Sequence, residues 1–255
     1  MLINRLFRLV LVIALSALVG ACASVPRGEF RSKSDPWEPM NRSVYSFNQN
    51  VDKYFMKPVT ETYKFLLPEI VRTGISNAFS NVGDVYTGVN NLLQGKPKDG
   101  FDDLVRVFVN STIGLGGIFD VASSSGMEKH TADFGQTLGV WGVGDGPYMV
   151  VPFFGPSNVR DSFGAILDYV TDPISLYVTN VPVRNSLTGV RIVDARERRL
   201  GASSLIGEAA FDGYTFLRDA YIQRRRSKIY DGRIPEYLED DLEPVDQEGD
   251  SSSAK

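Results

Sequence analysis

Asp35-Pro36-Trp37-Glu38-Pro39-Met40-Asn41-Arg42-Ser43-Val44-Tyr45-Ser46-Phe47-Asn48 is the stretch whose reading decides the fold class. Its two prolines stand where the first turn of a helix accepts a residue without an N–H, and Met40, Val44, Phe47, Val51 and Phe55 follow at intervals of three and four, the repeat of one helical face. The same rhythm returns at Val71, Ile75, Ala78, Phe79 and Val82, at Val85, Val89, Leu92 and Leu93, and at Phe101, Leu104, Val105 and Phe108. Pro58, Pro68 and Pro97 mark segment starts, and Gly95 follows Leu92-Leu93-Gln94 as a C-terminal cap would. Further on, Ser157 is a candidate cap for a helix through Val159, Phe163, Ile166 and Val170, and another helix is expected from about Val183 to Leu200. A last one uses Phe211, Tyr214, Leu217, Ala220 and Tyr221 and ends on Arg224-Arg225-Arg226, where the helix dipole favours cations. Strand alternation is weak, so the expected class is all-α, a bundle of short amphipathic helices.

The middle of the chain breaks this pattern. Ten of the 24 glycines fall between Ile113 and Pro156, and continuous helix there would cost about 1 kcal/mol per interior glycine relative to alanine. Yet the stretch is apolar. Val140-Trp141-Gly142-Val143-Gly144-Asp145-Gly146-Pro147-Tyr148-Met149-Val150-Val151 reads as a hairpin with a Gly-Asp-Gly tip and apolar arms. Those arms are either buried in a core or turned toward acyl chains, since leaving them in water costs about 25 cal/mol per Å² of apolar area. Gly142, Gly144 and Gly146 would let such a hairpin flex.

The two ends differ from the body. Arg5 and Arg8 precede an apolar run from Leu9 to Val19, too short for the roughly 20 residues a spanning helix needs, so residues 1–21 read as a removable export signal. Leu18-Val19-Gly20-Ala21-Cys22 resembles the lipobox of bacterial lipoproteins, with the chain's only cysteine as the mature, lipidated N-terminus. The other reading is an ordinary Ala-x-Ala cleavage site at Ala21 and Ala23 that discards Cys22. Several acyl chains at about 0.8 kcal/mol per buried CH₂ give stable attachment. In lipoproteins of enterobacterial type an Asp after that Cys holds the protein at the inner membrane; Ala23 stands there instead, which suggests the outer membrane. Residues 22–34 form a polar tether, 35–232 the folded body, and 233–255 a tail whose eight acidic residues from Glu236 onward mark it as disordered.

Composition excludes several functions. A formal charge of −4 lacks the basic excess that nucleic-acid binding needs, so no nucleic acid is expected as a partner. One Cys and one His cannot make a structural zinc site, and neither a metal nor a cofactor is expected. No Gly-x-Ser-x-Gly elbow or phosphate loop occurs, and any Ser-His-Asp device would have to use His130, so no catalytic residue is assigned. Asp102-Asp103 reads as a solvated helix face. Asp161 and Asp168, seven apart, line a polar passage or meet water, and Asn41, Asn48, Asn50, Asn90 and Asn91 are caps or polar lining.

Three blocks together resemble the MlaA (VacJ) family of outer-membrane lipoproteins. They are the opening Asp35 to Asn48; Asp133-Phe134-Gly135-Gln136-Thr137-Leu138-Gly139 running on through Tyr148, with Pro152, Gly155-Pro156-Ser157 and Arg160-Asp161 after it; and Arg218-Asp219-Ala220-Tyr221-Ile222-Gln223-Arg224. The resemblance implies a ring of helices in the periplasmic side of the outer membrane, with a central amphipathic channel gated by the glycine-rich hairpin loop, here Gly142, Gly144, Gly146, Pro147 and Tyr148. Phe47 and Asn48 would help shape the ring near that loop. The implied activity is removal of mislocalised phospholipids from the outer leaflet and their transfer to a periplasmic lipid-binding carrier, with no bond broken and with a trimeric outer-membrane porin as partner. The competing expectation is an adaptor lipoprotein that braces a porin or envelope complex without moving lipid.

Overall fold

The computed structural model describes residues 35–201, 212–235 and 238; the expected signal segment, Cys22, the tether and most of the acidic tail lie outside the described residues. The all-α expectation holds, with one two-stranded sheet among the helices. Helix α1 (Glu38–Val51) passes without a break through a π-helical turn at Asp52–Met56 into α2 (Lys57–Leu66). Pro58 therefore marks no new segment: it lacks the N–H that the preceding turn would use, and a widened turn absorbs the mismatch. Helix α2 stops at Leu67, whose extended backbone is what a residue before proline prefers.

The two short helices expected over 71–82 and 85–93 are one, α3 (Glu69–Leu93), 25 residues long. Gly95, at φ +75°, turns the chain back into α4 (Pro97–Thr112). The two helices touch backbone to backbone, because a Cβ on Gly100 would sit 2.9 Å from the carbonyl oxygen of Gly88. After α5 (Val121–Ser124), α6 (Phe134–Val140) starts at Asp133, which accepts from the Gln136 N–H. It ends in a Schellman turn: Val143 N–H donates to the Leu138 carbonyl and Gly142 N–H to that of Gly139, with Gly142 at φ +91°.

The strand pairing expected around Gly144-Asp145-Gly146 is displaced by that helix. Strand β1 (Tyr148–Val151) pairs antiparallel with the downstream β2 (Gly155–Asn158), Tyr148 opposite Asn158 and Val151 opposite Gly155, and the turn between them is Pro152-Phe153-Phe154. The upstream arm was misread because Asp133 and Gly142 bracket residues 134–140 as a short helix. Asn158, not Ser157, caps α7 (Val159–Thr171) by accepting from Asp161 N–H. Then come α8 (Pro173–Tyr177), α9 (Val181–Glu197) and α10 (Gly213–Ile229), capped by Asp172, Asn180 and Asp212.

Packing is inverted relative to a water-soluble domain. Among the described residues, 20 polar or charged side chains are buried against eight apolar ones. Arg106 on α4 has no exposed surface; it donates to the Met127 carbonyl at 2.7 Å and to both Asp120 oxygens at 3.1 and 3.2 Å, with Asp84 of α3 at 3.8 Å. Burial alone would raise the Asp120 carboxyl, but hydrogen bonds from Ser123 and Asn110 and the Arg106 charge hold it at about 2. Asp103, read as part of a solvated face, is fully buried instead: it accepts from Asn91 at 2.8 Å and lies 3.1 Å from His130 Nδ1. The seven-residue offset of Asp103 from Asn110 and its three-residue offset from Arg106 put all three on the face that meets α3, which one-dimensional charge counting does not reveal.

Breaking a buried pair from one side leaves an uncompensated charge. Arg106→Met is expected to cost about 3–5 kcal/mol of folding stability. The denaturant midpoint of the purified protein checks this, and an unchanged midpoint would mean that the ion cluster carries no stability.

Candidate functional site

The glycine-rich segment is framed from both sides by helix α1 and by the start of α7. Asn41 and Asn48, two turns apart on α1, use their amides as a further strand would. Asn41 donates to the Tyr148 carbonyl at 3.2 Å and accepts from Val150 N–H at 2.9 Å, and Asn48 donates to the Val151 carbonyl at 3.0 Å and accepts from Phe153 N–H at 2.7 Å. Neither is a cap. Asn41 also donates to Asp35, whose other oxygen takes the Tyr214 hydroxyl of α10. Asn90 and Asn91 likewise tie elements together, Asn90 by accepting from Thr137 and Asn91 by donating to Asp103, while Asn50 is exposed. Phe47 is half-exposed and meets Phe153 edge-on at 5.2 Å, so Phe47 and Asn48 both touch the β1–β2 turn.

Tyr148 and Val150 point into the small apolar core with Tyr214 and Ile222, which settles the fate of one arm as buried. Residues 141–147 are different. Trp141 and Val143 are about half exposed, and a Cβ on Gly142 or Gly144 would meet nothing within 4 Å. Gly146 sits against Val159, and Pro147 leads into β1. This loop is held by one buried side chain that the sequence did not single out for the role. Arg160, 4% exposed, ion-pairs with Asp145 and donates to the Val143 carbonyl at 3.2 Å, while its own N–H donates to the Asp145 carbonyl at 3.2 Å. Its remaining nitrogens bind Asp161 at 3.0 and 2.9 Å. The loop, Arg160 and α10 enclose a cavity of about 360 Å³ that also reaches Tyr221 and Arg225.

Asp161 neither lines a passage nor meets water. It is shared by Arg160, Arg225 and the Tyr221 hydroxyl, and Arg225 binds Asp133 at 2.6 Å as well. Burial, with Asp161 beside it, pushes the Tyr221 phenol well above its ordinary range. Asp168 turns to another place. It accepts from Phe134 N–H, and no cationic side chain stands within ion-pair distance of it among the described residues. Burial, with the Asp133 charge nearby, raises its carboxyl to about 6 against the pull of the Phe134 N–H and Arg225. His130 pairs with Asp103 and has no hydrogen bond to a serine hydroxyl among the described residues, where no cluster of metal-ligating side chains occurs either. Among the described residues His130 is not part of a Ser-His-Asp arrangement.

Outside this polar interior the helices present apolar faces. Phe65, Phe154, Tyr177, Ile70, Phe108 and Phe101 are all more than 60% exposed. Fully burying such a side chain is worth about 1.5–3 kcal/mol, so a surface of this kind fits hydrocarbon better than water. No described helix is long and apolar enough to cross a membrane. Between α3 and α9 runs an apolar trough of about 510 Å³ lined by Ile75, Phe79, Val183, Leu187 and Val190. Beside it lies a polar cavity of about 180 Å³ with Tyr86, Asp168, Asp172, Thr188 and Arg191.

Two outcomes are expected from this geometry. Asn41→Leu orphans the Tyr148 carbonyl and Val150 N–H and is expected to lower stability by about 2–4 kcal/mol, read from thermal unfolding together with faster hydrogen exchange at Val150. Because the folded-state pKa of Asp168 is raised, the folded state binds a proton more tightly than the unfolded chain. Stability therefore falls as pH rises from about 4 to about 6, and the full cost of the buried charge is present above that. Asp168→Asn is expected to flatten that slope and raise Tm at pH 7; melting curves across pH 4–8 check it.

Comparison with known proteins agrees with this architecture. The family model for the MlaA lipoprotein matches residues 33–228. "Intermembrane phospholipid transport system lipoprotein MlaA" of Escherichia coli (strain K12) is 33% identical over 250 residues, covering 93% of this chain and 97% of the relative. The protein of the same name from Haemophilus influenzae is 31% identical over 227 residues, covering 88% and 90%. A solved chain described by the words "Structural basis for maintenance of bacterial outer membrane lipid asymmetry" superposes with a TM-score of 0.68 at 32% identity, over 77% of this chain and all of that one. With a polar interior, an apolar exterior and relatives that align end to end, the chain belongs to the MlaA lipoprotein family.

Proposed function

We propose that this protein removes mislocalised phospholipids from the outer leaflet of the outer membrane and passes them to a periplasmic lipid-binding carrier. The observation that carries the reading is the inverted packing: apolar side chains cover the outside of the helices while polar ones are paired within. Such a body settles into a leaflet without a spanning segment, and relatives of near-equal length are named for intermembrane phospholipid transport. In this reading residues 1–21 are the export signal, Cys22 carries the acyl chains, 22–34 is the tether, 35–232 the helical domain and 233–255 the acidic tail. The protein is anchored at the periplasmic side of a Gram-negative outer membrane. A trimeric porin steadies it there, an apt partner for a protein with so much exposed apolar surface. Lipid moves through an amphipathic passage among the helices, and no covalent bond is made or broken.

Residues 141–147 act as the gate. Their backbone is glycine-rich, their side chains are largely exposed, and their polar ties to the body run through Arg160 and through the Trp141 indole N–H, which donates to the Leu93 carbonyl at 3.0 Å. Beyond the gate and strand β1, Phe47 and Asn48 hold the β1–β2 turn at Phe153. Proline at Gly144, where a side chain meets nothing, stiffens the loop without crowding it.

The test is complementation of a strain that lacks its own lipoprotein of this kind. The wild-type chain is expected to lower outer-leaflet phospholipid to normal, Cys22→Ala to abolish membrane retention and rescue, and Gly144→Pro to keep retention while losing rescue. Full rescue by Gly144→Pro would remove the gate, and no rescue by the anchored wild type would remove the transport reading.

A further inference from the structure

The geometry points to the α3–α9 seam as a binding site for one phospholipid with an ammonium-bearing headgroup, its acyl chain in the apolar trough and its headgroup in the polar cavity beside it. The inference rests on the transport reading and adds to it a place and a headgroup class.

The two cavities border the same pair of helices. On α3, Phe79 lines the trough and Tyr86 the polar cavity, seven residues or two turns apart on one face, which is about 10 Å. On α9, Leu187 and Val190 line the trough while their immediate neighbours Thr188 and Arg191 line the polar cavity. An amphiphile lying along the seam thus meets hydrocarbon at one end and hydrogen-bonding groups at the other. The trough's volume of about 510 Å³ is in the ordinary range for a small-ligand pocket, which suits an acyl chain.

Charge selects the headgroup. Arg191 binds Asp172 at 2.5 Å through one guanidinium nitrogen, and the other lies over Gly83, where a Cβ would stand 3.9 Å from it and 3.8 Å from the Tyr86 ring. That nitrogen suits a phosphate, while the Thr188 hydroxyl is taken up by the Arg184 carbonyl at 3.0 Å. Asp168 has no cation of its own within ion-pair distance among the described residues, although it faces the same space. With two carboxylates against one guanidinium, the ionised cavity is one negative charge in excess. A zwitterionic headgroup, its ammonium beside Asp168 and its phosphate beside Arg191, leaves that total unchanged and gives each charge a partner, whereas an anionic phosphoglycerol group would add to the excess. The raised carboxyl of Asp168 is what a buried acid awaiting a counter-ion shows.

The experiment uses the full purified chain in detergent, equilibrated with vesicles holding equal phosphatidylethanolamine and phosphatidylglycerol of matched acyl chains, and mass spectrometry of the lipid that remains bound. Wild type is expected to favour phosphatidylethanolamine by about tenfold, the worth of one charge-assisted contact. Asp168→Asn is expected to erase that preference, and Ser186→Trp, which plugs the trough wall, to reduce total bound lipid about tenfold without changing the ratio. Equal binding of both lipids by wild type, or undiminished lipid on Ser186→Trp, overturns the site. The same chains are scored for restored outer-leaflet composition in cells: rescue by wild type with either of those two results sinks this site alone, and failed rescue sinks the transport reading.

Discussion

Arg106 has no exposed surface, and its guanidinium is met by Asp120, by the Met127 carbonyl and, more distantly, by Asp84. The rest of the structure depends on what this pair represents. A chain that turns Phe65, Phe101 and Phe108 outward has few large apolar side chains left for its centre, so its helices are joined by hydrogen bonds and ion pairs instead. Hydrophobic burial is non-directional, whereas each of these polar contacts fixes a distance and an angle. The helices are therefore positioned by Asn, Asp, Arg and Thr at their mutual faces, and their outer faces need only be apolar and need not fit anything in particular.

The sheet shows the same economy. Two strands of four residues are marginal by themselves, and β1 has one strand neighbour only. Its other edge is taken up by Asn41 and Asn48, whose amides offer the donor and acceptor that a third strand would supply. Helix α1 thereby fixes the segment that begins just after the glycine-rich stretch 141–147, and Asp35 extends the clamp to Tyr214 on α10. The opening block of the sequence is thus a brace for the glycine-rich region more than 100 residues away.

Much of this was legible in the sequence, and what was not has a common cause. The periodicity of Met40, Val44, Phe47 and Val51 places α1 correctly, and Gly95 ends α3 at φ +75° as a C-terminal glycine should. The single helix over 69–93 is continuous because Val82 and Val85 carry the apolar rhythm past Gly83, and a glycine costs a helix only about 1 kcal/mol. For Asn41 and Asn48 the sequence allows caps or polar lining, for Asp161 a polar passage or solvent, and for Asp103 a solvated face, because polar residues on soluble helices usually do one of these. Here the burial rule is inverted, and the apolar stripe that normally marks the core marks the outside. The signal that could have revealed it is the placing of Asn41 and Asn48 seven apart on one face of α1, opposite no charge in the local sequence. The strand partner of Tyr148–Val151 was missed for a different reason, since Gly155-Pro156-Ser157-Asn158 has none of the composition of a strand and pairs only because the Pro152–Phe154 turn folds it back.

The gating proposed for residues 141–147 is compatible with how the loop is attached. Arg160 contributes three contacts to the loop, and breaking them would be prohibitive if a buried guanidinium were left without an anion, a situation that costs several kcal/mol. It is not left so, because Asp161 is adjacent in sequence, moves with Arg160 on the first turn of α7 and keeps two of its nitrogens paired at 2.9–3.0 Å. Asp145 is more than a third exposed, so on leaving it exchanges its partner for water. What is lost at Arg160 is one ion pair and two hydrogen bonds, about 2–4 kcal/mol, which, with the Trp141 bond to the Leu93 carbonyl kept, leaves an open state at a population of a few per cent or less. A minor state in that range is reachable without an energy source at the membrane, and a lipid that contacts only the open form can draw the equilibrium toward it by binding.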